Sequence, residues 1–128
     1  MKNMRNYSKQ REAILTVLRE TDTHPTANWI YAKVRETIPN ISLGTVYRNL
    51  SELSQNGEIL SLNVGDGYEH FDYDTTPHAH LHCKKCGCIH DARLEYDPLA
   101  ELSEKMGFTP DTTIYVAYGI CQNCKTTN

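Results

Sequence analysis

The chain has 128 residues, room for one ordinary domain or two small ones, and its 39% hydrophobic and 23% charged residues exclude a disordered, collagenous or low-complexity polypeptide. No apolar run approaches the roughly 20 residues of a membrane span, and the opening MKNMRNYSKQRE lacks the apolar stretch of a secretion signal, so a cytoplasmic protein with no membrane partner is expected. The net charge of −3 is uneven, +2 over residues 1–64 and −5 over residues 65–128, which assigns any nucleic-acid contact to the first half.

Ser8 is a candidate cap for a first helix, KQREAILTVLRE, with Ile14, Leu15, Val17 and Leu18 as its apolar face. Thr26 caps a second, ANWIYAKVRETI, stopped by Pro39. Ser42 caps a third, LGTVYRNLSELSQ, stopped by Asn56-Gly57. ILSLNV and YEHFDY then flank Gly65-Asp66-Gly67 as a hairpin. Three helices and a hairpin in about 65 residues is the order of a winged helix-turn-helix; any small α+β domain whose third helix is core is the alternative.

Asp74-Thr75-Thr76-Pro77 has linker composition. The predicted organisation is α+β: a winged helix-turn-helix over residues 1–73, a linker over 74–77 and a small zinc-stapled α/β domain over 78–128. In the second module HAHLHC, GCIHDARL and TTIYVAYGIC are predicted strands, and Asp97 caps the helix PLAELSEKM. About 50 residues is a size at which a metal or oligomerisation usually supplements the core.

Five cysteines in a reducing compartment favour metal or redox chemistry over disulfides. Cys83-Lys84-Lys85-Cys86 and Cys121-Gln122-Asn123-Cys124 are two CxxC pairs, and two such knuckles make a closed S4 site for structural Zn²⁺. A thioredoxin-like pair opens a helix after a strand; here the first pair is expected between strands and the second at a strand end. Cys88 is taken as a small filler with no role. His78, His80 and His82 alternate along one strand and so share a face. With Asp72 and Asp91 nearby in sequence they form a mixed N/O set suited to Fe²⁺, Mn²⁺ or Zn²⁺, although a surface strand carrying His and Asp without metal is equally compatible.

HPTANWIY, ISLGTVYRNLSELSQNG, YEHFDY followed by HAH, CKKCG and YGICQNC, in this order and at these spacings, resemble the ferric uptake regulator (Fur) family of bacterial metal- and peroxide-responsive repressors. The resemblance covers nearly the whole chain. It implies a winged-helix DNA-binding domain, an α/β dimerisation domain, a homodimer, and structural zinc on Cys83, Cys86, Cys121 and Cys124. Matched motif by motif to the peroxide-regulator (PerR) branch, a regulatory Fe²⁺ or Mn²⁺ falls to His24, Asp72, His78, His80 and Asp91. Asp91 stands where iron-uptake members usually carry Glu. Ala79 and Thr113 stand where those members often carry further ligands. Family members usually have another helix before the segment aligned with YSKQREAIL. Six residues precede it here, so weaker operator contact is expected from Lys2 and Arg5.

The implied function is a metal-dependent repressor that binds operator DNA as a homodimer and is released when peroxide, acting through iron, damages regulatory histidines. Metal bound across both modules would set the spacing of two recognition helices and so turn occupancy into operator affinity. Tyr47 and Arg48 are the candidate base contacts, with core burial as the alternative for Tyr47. Ser42, Thr45, Lys9 and Arg11 are candidates for phosphate. His24, at a helix N-terminus, has a role without metal as its alternative. An iron- or manganese-responsive repressor without peroxide sensing and a zinc-stabilised protein-interaction module are the competing functions. No HExxH, nucleophile elbow or deaminase H-x-E with P-C-x-x-C occurs, so neither an enzyme nor an organic small-molecule substrate is expected.

Overall fold

The computed structural model describes residues 4–111 and 113–126, with side chains from Ser8 onward. Lys2, the Arg5 side chain and Thr112, the first residue of the last expected strand, lie outside the described residues. The chain divides into two compact units, Met1–Thr75 and Thr76–Asn128. No helix among the described residues is long and apolar enough to cross a membrane.

The first unit contains α1 (Met4–Arg19), α2 (Ala27–Val34), α3 (Leu43–Gln55), β1 (Leu60–Asn63) and β2 (Glu69–Asp72). α1 begins earlier than Ser8 implies. An N-cap must be extended where the helix starts, and the turns from Met4 onward already place Ser8 inside the helix. α2 starts as expected, with Thr26 Oγ1 accepting from the Trp29 amide at 3.3 Å. It ends at Val34, short of Pro39, and irregular turns cover the interval. α3 has the predicted limits: Ser42 Oγ accepts from the Thr45 amide at 3.1 Å, and beyond Asn56 the chain turns at Gly57 with φ +76°.

Ile14 and Leu18 of α1, Ile30 and Val34 of α2 and Val46, Leu50 and Leu53 of α3 meet Ile59 and Phe71 in one core. These are the positions that 3.6-residue periodicity puts on one face of each helix. β1 and β2 pair antiparallel as the wing, Leu60 opposite Asp72 and Asn63 opposite Glu69. The segment before α2 adds to the wing: Thr26 bridges His70, and the Phe71 amide donates to the Pro25 carbonyl at 3.0 Å.

The second unit contains β3 (His78–Cys83), β4 (Ile89–Arg93), α4 (Ala100–Lys105), β5 (Tyr115–Gly119) and α5 (Gln122–Thr126). β3 is central, antiparallel to β4 and parallel to β5, with α4 in the crossover that a parallel pair requires. Asp97 does not cap α4. Its Oδ1 accepts from the Leu99 amide at 3.1 Å and from the Tyr115 hydroxyl, forming a turn ahead of a helix that starts later. The second CxxC does not end a strand either: β5 stops at Gly119 and α5 begins at Gln122.

Candidate metal centres and nucleic-acid face

The end of β3 and the start of α5 bring four thiols together. After Cys83 the chain turns back through Gly87, at φ +80°, whose amide donates to the Cys83 carbonyl at 2.9 Å. The amides of Cys121 and Cys86 donate to Cys83 Sγ at 3.3 and 3.4 Å, and these bonds hold the Cys83 thiol down to about 5. Cys124 is pushed up to about 12, first by its hydrogen bond with Cys121 and then by burial. The Cys83–Cys124 and Cys86–Cys121 sulfur separations are 3.7 and 3.8 Å, and all four sulfurs lie within 4.8 Å of one another. Sulfurs about 2.3 Å from one tetrahedral zinc are about 3.8 Å apart, so the four residues fit that ion. The strand-then-helix setting of the second pair is the one a redox CxxC uses. Its convergence with Cys83 and Cys86 makes it half of an S4 set instead.

The expected N/O donors, His24, Asp72, His78, His80 and Asp91, are contributed by both units. In the first, His24 is buried at 4% exposure and its Nε2 is 3.3 Å from Asp72 Oδ2 at the end of β2. His24 has φ +55°, a left-handed conformation rare outside glycine, and it precedes Pro25. Its carbonyl accepts from His70 Nδ1 at 2.7 Å, while His70 Nε2 meets Asp66 Oδ2 at 2.7 Å. Both partners of His70 are oxygen atoms, and the two contacts fix the orientation of its ring. Burial works against the Asp66 carboxylate, but hydrogen bonds from His70 and the Tyr68 amide hold it below the ordinary carboxylate value. His70 is a positioning residue that the sequence did not single out; the only signal was its i, i+2 relation to Asp72 on one strand.

In the second unit His78 and His80 share the buried face of β3, and His80 is 1% exposed. Register places Asp91 of β4 opposite His80. Asp91 Oδ1 lies 3.2 Å from His80 Nδ1 and 3.5 Å from His78 Nε2. His78 Nδ1 donates to the Thr76 carbonyl at 2.7 Å, which fixes the tautomer and leaves Nε2 as the donor atom for a cation. Two imidazoles and a carboxylate suit Fe²⁺, Mn²⁺ or Zn²⁺. His82, on the same face, packs edge-on against Tyr118 at 5.8 Å between ring centroids.

On α3, Tyr47 is 46% exposed and Arg48 is exposed, so Tyr47 is not a core residue. Ser42 Oγ donates to Thr45 Oγ1 at 2.9 Å at the helix start. Lys9 is exposed on α1, whereas the Arg11 guanidinium is engaged by Glu58.

The family model described as the ferric uptake regulator family matches residues 2–115. The chain belongs to the ferric uptake regulator family. Members have an N-terminal winged-helix DNA-binding domain and a dimerisation domain. A peroxide-responsive repressor PerR of Staphylococcus epidermidis is 36% identical over 120 residues, 91% of this chain and 79% of that one. The crystal structure of the Campylobacter jejuni peroxide stress regulator superposes with a TM-score of 0.80 at 29% identity, covering 97% of this chain and all of that one. The Helicobacter pylori ferric uptake regulator Fur, described with three functional metal binding sites, gives a TM-score of 0.75 at 25% identity, covering 100% of this chain and 85% of that one.

Proposed function

We propose that this family member is a metal-dependent repressor that binds operator DNA as a homodimer and releases it when peroxide, acting through iron, oxidises regulatory histidines. In this proposal Cys83, Cys86, Cys121 and Cys124 hold structural Zn²⁺, and His24, Asp72, His78, His80 and Asp91 supply Fe²⁺ or Mn²⁺. The observation that carries the regulatory part is buried imidazole against carboxylate in each unit, His24 with Asp72 and His78 with His80 and Asp91. Similarity to peroxide-responsive relatives supports the peroxide part.

Each of these groups supplies part of the donor set of a divalent ion. Metal that favours the DNA-binding conformation raises DNA affinity, and by linkage DNA raises metal affinity equally. Held by these residues, Fe²⁺ would supply one-electron reduction of a hydroperoxide, chemistry that Mn²⁺ would supply poorly. The chain's part is to present the ring carbons of His24 and His78 as the first targets. An imidazole that has gained oxygen is a poorer donor, so its residue gives up the metal and the DNA affinity linked to it. On DNA, Tyr47 and Arg48 read bases while Ser42, Thr45 and Lys9 contact phosphate; Arg11 is placed there only if DNA displaces Glu58. These are the roles of a regulator rather than of an enzyme.

The test compares protein loaded with Fe²⁺ and with Mn²⁺ after a brief peroxide pulse, by peptide mass spectrometry and by duplex binding at fixed salt. One added oxygen on His24 or His78, with loss of binding, is expected with Fe²⁺ alone. Equal histidine oxidation with both metals, or oxidation confined to cysteine, favours the plain iron or manganese regulator instead.

A further inference from the structure

Cys88 is the fifth cysteine, outside the S4 set, and its sulfur has two reactive neighbours. Cys88 Sγ lies 3.1 Å from Cys86 Sγ and 3.1 Å from His90 Nε2. The backbone explains the meeting. The β3–β4 ladder runs on to a bond from the Cys83 amide to the Cys88 carbonyl at 3.0 Å, and the turn at Gly87 folds Cys86 back towards it. Cys88 and His90, two residues apart, point to the same side of the sheet. A sulfur separation of 3.1 Å is well below the edge of about 3.8 Å kept by two thiolates on one tetrahedral zinc. Cys88 is therefore placed as a sulfur in contact with a ligand rather than as a ligand itself. Cys86 is exposed, so a small oxidant can reach it, while Cys88 is half-buried.

We propose that Cys88 is a resolving thiol for the zinc cluster, converting peroxide oxidation of Cys86 into a reversible Cys86–Cys88 disulfide. The proposal rests on the assignment of zinc to the four cysteines. In the first step the Cys86 thiolate attacks one oxygen of a hydroperoxide. The O–O bond breaks, the sulfur loses two electrons to become a sulfenic acid, and the second oxygen leaves as hydroxide or alkoxide. In the second step Cys88 passes its proton to His90 and its sulfur attacks Cys86. The S–S bond forms, the S–O bond breaks, and the departing hydroxide takes the proton back as water. Cys86 can then no longer bind zinc as a thiolate, and the ion is released. Without Cys88, the sulfenic acid proceeds to sulfinic and sulfonic acids, which thiols do not reverse.

The experiment uses full-length, zinc-loaded protein saturated with Mn²⁺, so that iron chemistry is silent. Graded hydrogen peroxide is added, zinc release is followed with a chromogenic chelator, and the tryptic segment 86–93, which contains both cysteines, is weighed. In the wild type that segment is expected to lose two hydrogens as zinc appears, and zinc binding should return after dithiothreitol and fresh Zn²⁺. In Cys88→Ser and Cys88→Ala the segment should gain two or three oxygens, and recovered zinc should fall on the order of tenfold. Equal recovery in wild type and variants overturns the proposal, as does a main disulfide from Cys86 to Cys83, Cys121 or Cys124. Protein isolated with free thiols and no zinc overturns the zinc assignment itself, and the release step with it.

Discussion

His24 shows most clearly how single residues carry the site. A left-handed, non-glycine residue before proline costs about 1–3 kcal/mol and persists only where its surroundings over-determine it. Here those surroundings are the Phe71 amide on the Pro25 carbonyl and His70 on the His24 carbonyl. His70→Ala should therefore weaken Mn²⁺ binding by about 10-fold or more, the usual effect of losing a group that orients a ligand. Electron paramagnetic resonance titration of Mn²⁺ checks this, and an unchanged affinity would remove His70 from the site. The thiols give a second expectation. At neutral pH Cys83, held to about 5, is already a thiolate, whereas Cys124, held up to about 12, keeps its proton. Zinc uptake by the apoprotein at pH 7 should release protons, since Cys124 must lose its own to bind as a thiolate. Calorimetry in two buffers of different ionisation enthalpy measures the release, and a value of zero contradicts it. Arg48→Ala should cost about 1–3 kcal/mol of duplex binding and relax base preference. A uniform loss across sequences would make Arg48 a phosphate contact.

Among the elements, α3 is the one whose limits were legible in the sequence, while Tyr47, at helical spacing with its buried residues, faces solvent. Ser42 caps it, Gly57 ends it, and Val46, Leu50 and Leu53 lie buried at helical spacing. Gly57→Ala should lower unfolding free energy by about 1 kcal/mol, since φ +76° suits only a residue without Cβ, and a denaturant titration reads the loss. α1, α4 and the second CxxC were less legible. Ser8 and Asp97 have cap chemistry, but a cap functions only where the backbone leaves the helix, and neighbouring turns decide where that happens. The Cys121 pair opens α5, a helix of five residues with too little sequence for periodicity to show.

For the whole molecule, the prediction concerns the two classes of metal. Mild chelation should remove Mn²⁺ and lower duplex affinity at constant salt while about one zinc per chain remains, because four thiolates form a closed site and the N/O set an open one. Zinc lost in step with manganese, read by atomic emission beside the binding curve, would contradict that division.

Periodicity, caps and turn residues determined α2, α3 and the wing as local elements. The CxxC spacing pointed to the four thiols that the structure brings together, because knuckle geometry is encoded within four residues. The motif order pointed to the family. Only the tertiary structure decided that Tyr47 faces solvent, that Glu58 engages Arg11, that His70 clamps His24, and that Cys88 lies against Cys86. Each of those facts depends on which chain segments meet across a strand pair or a core, and local sequence carries no record of that meeting.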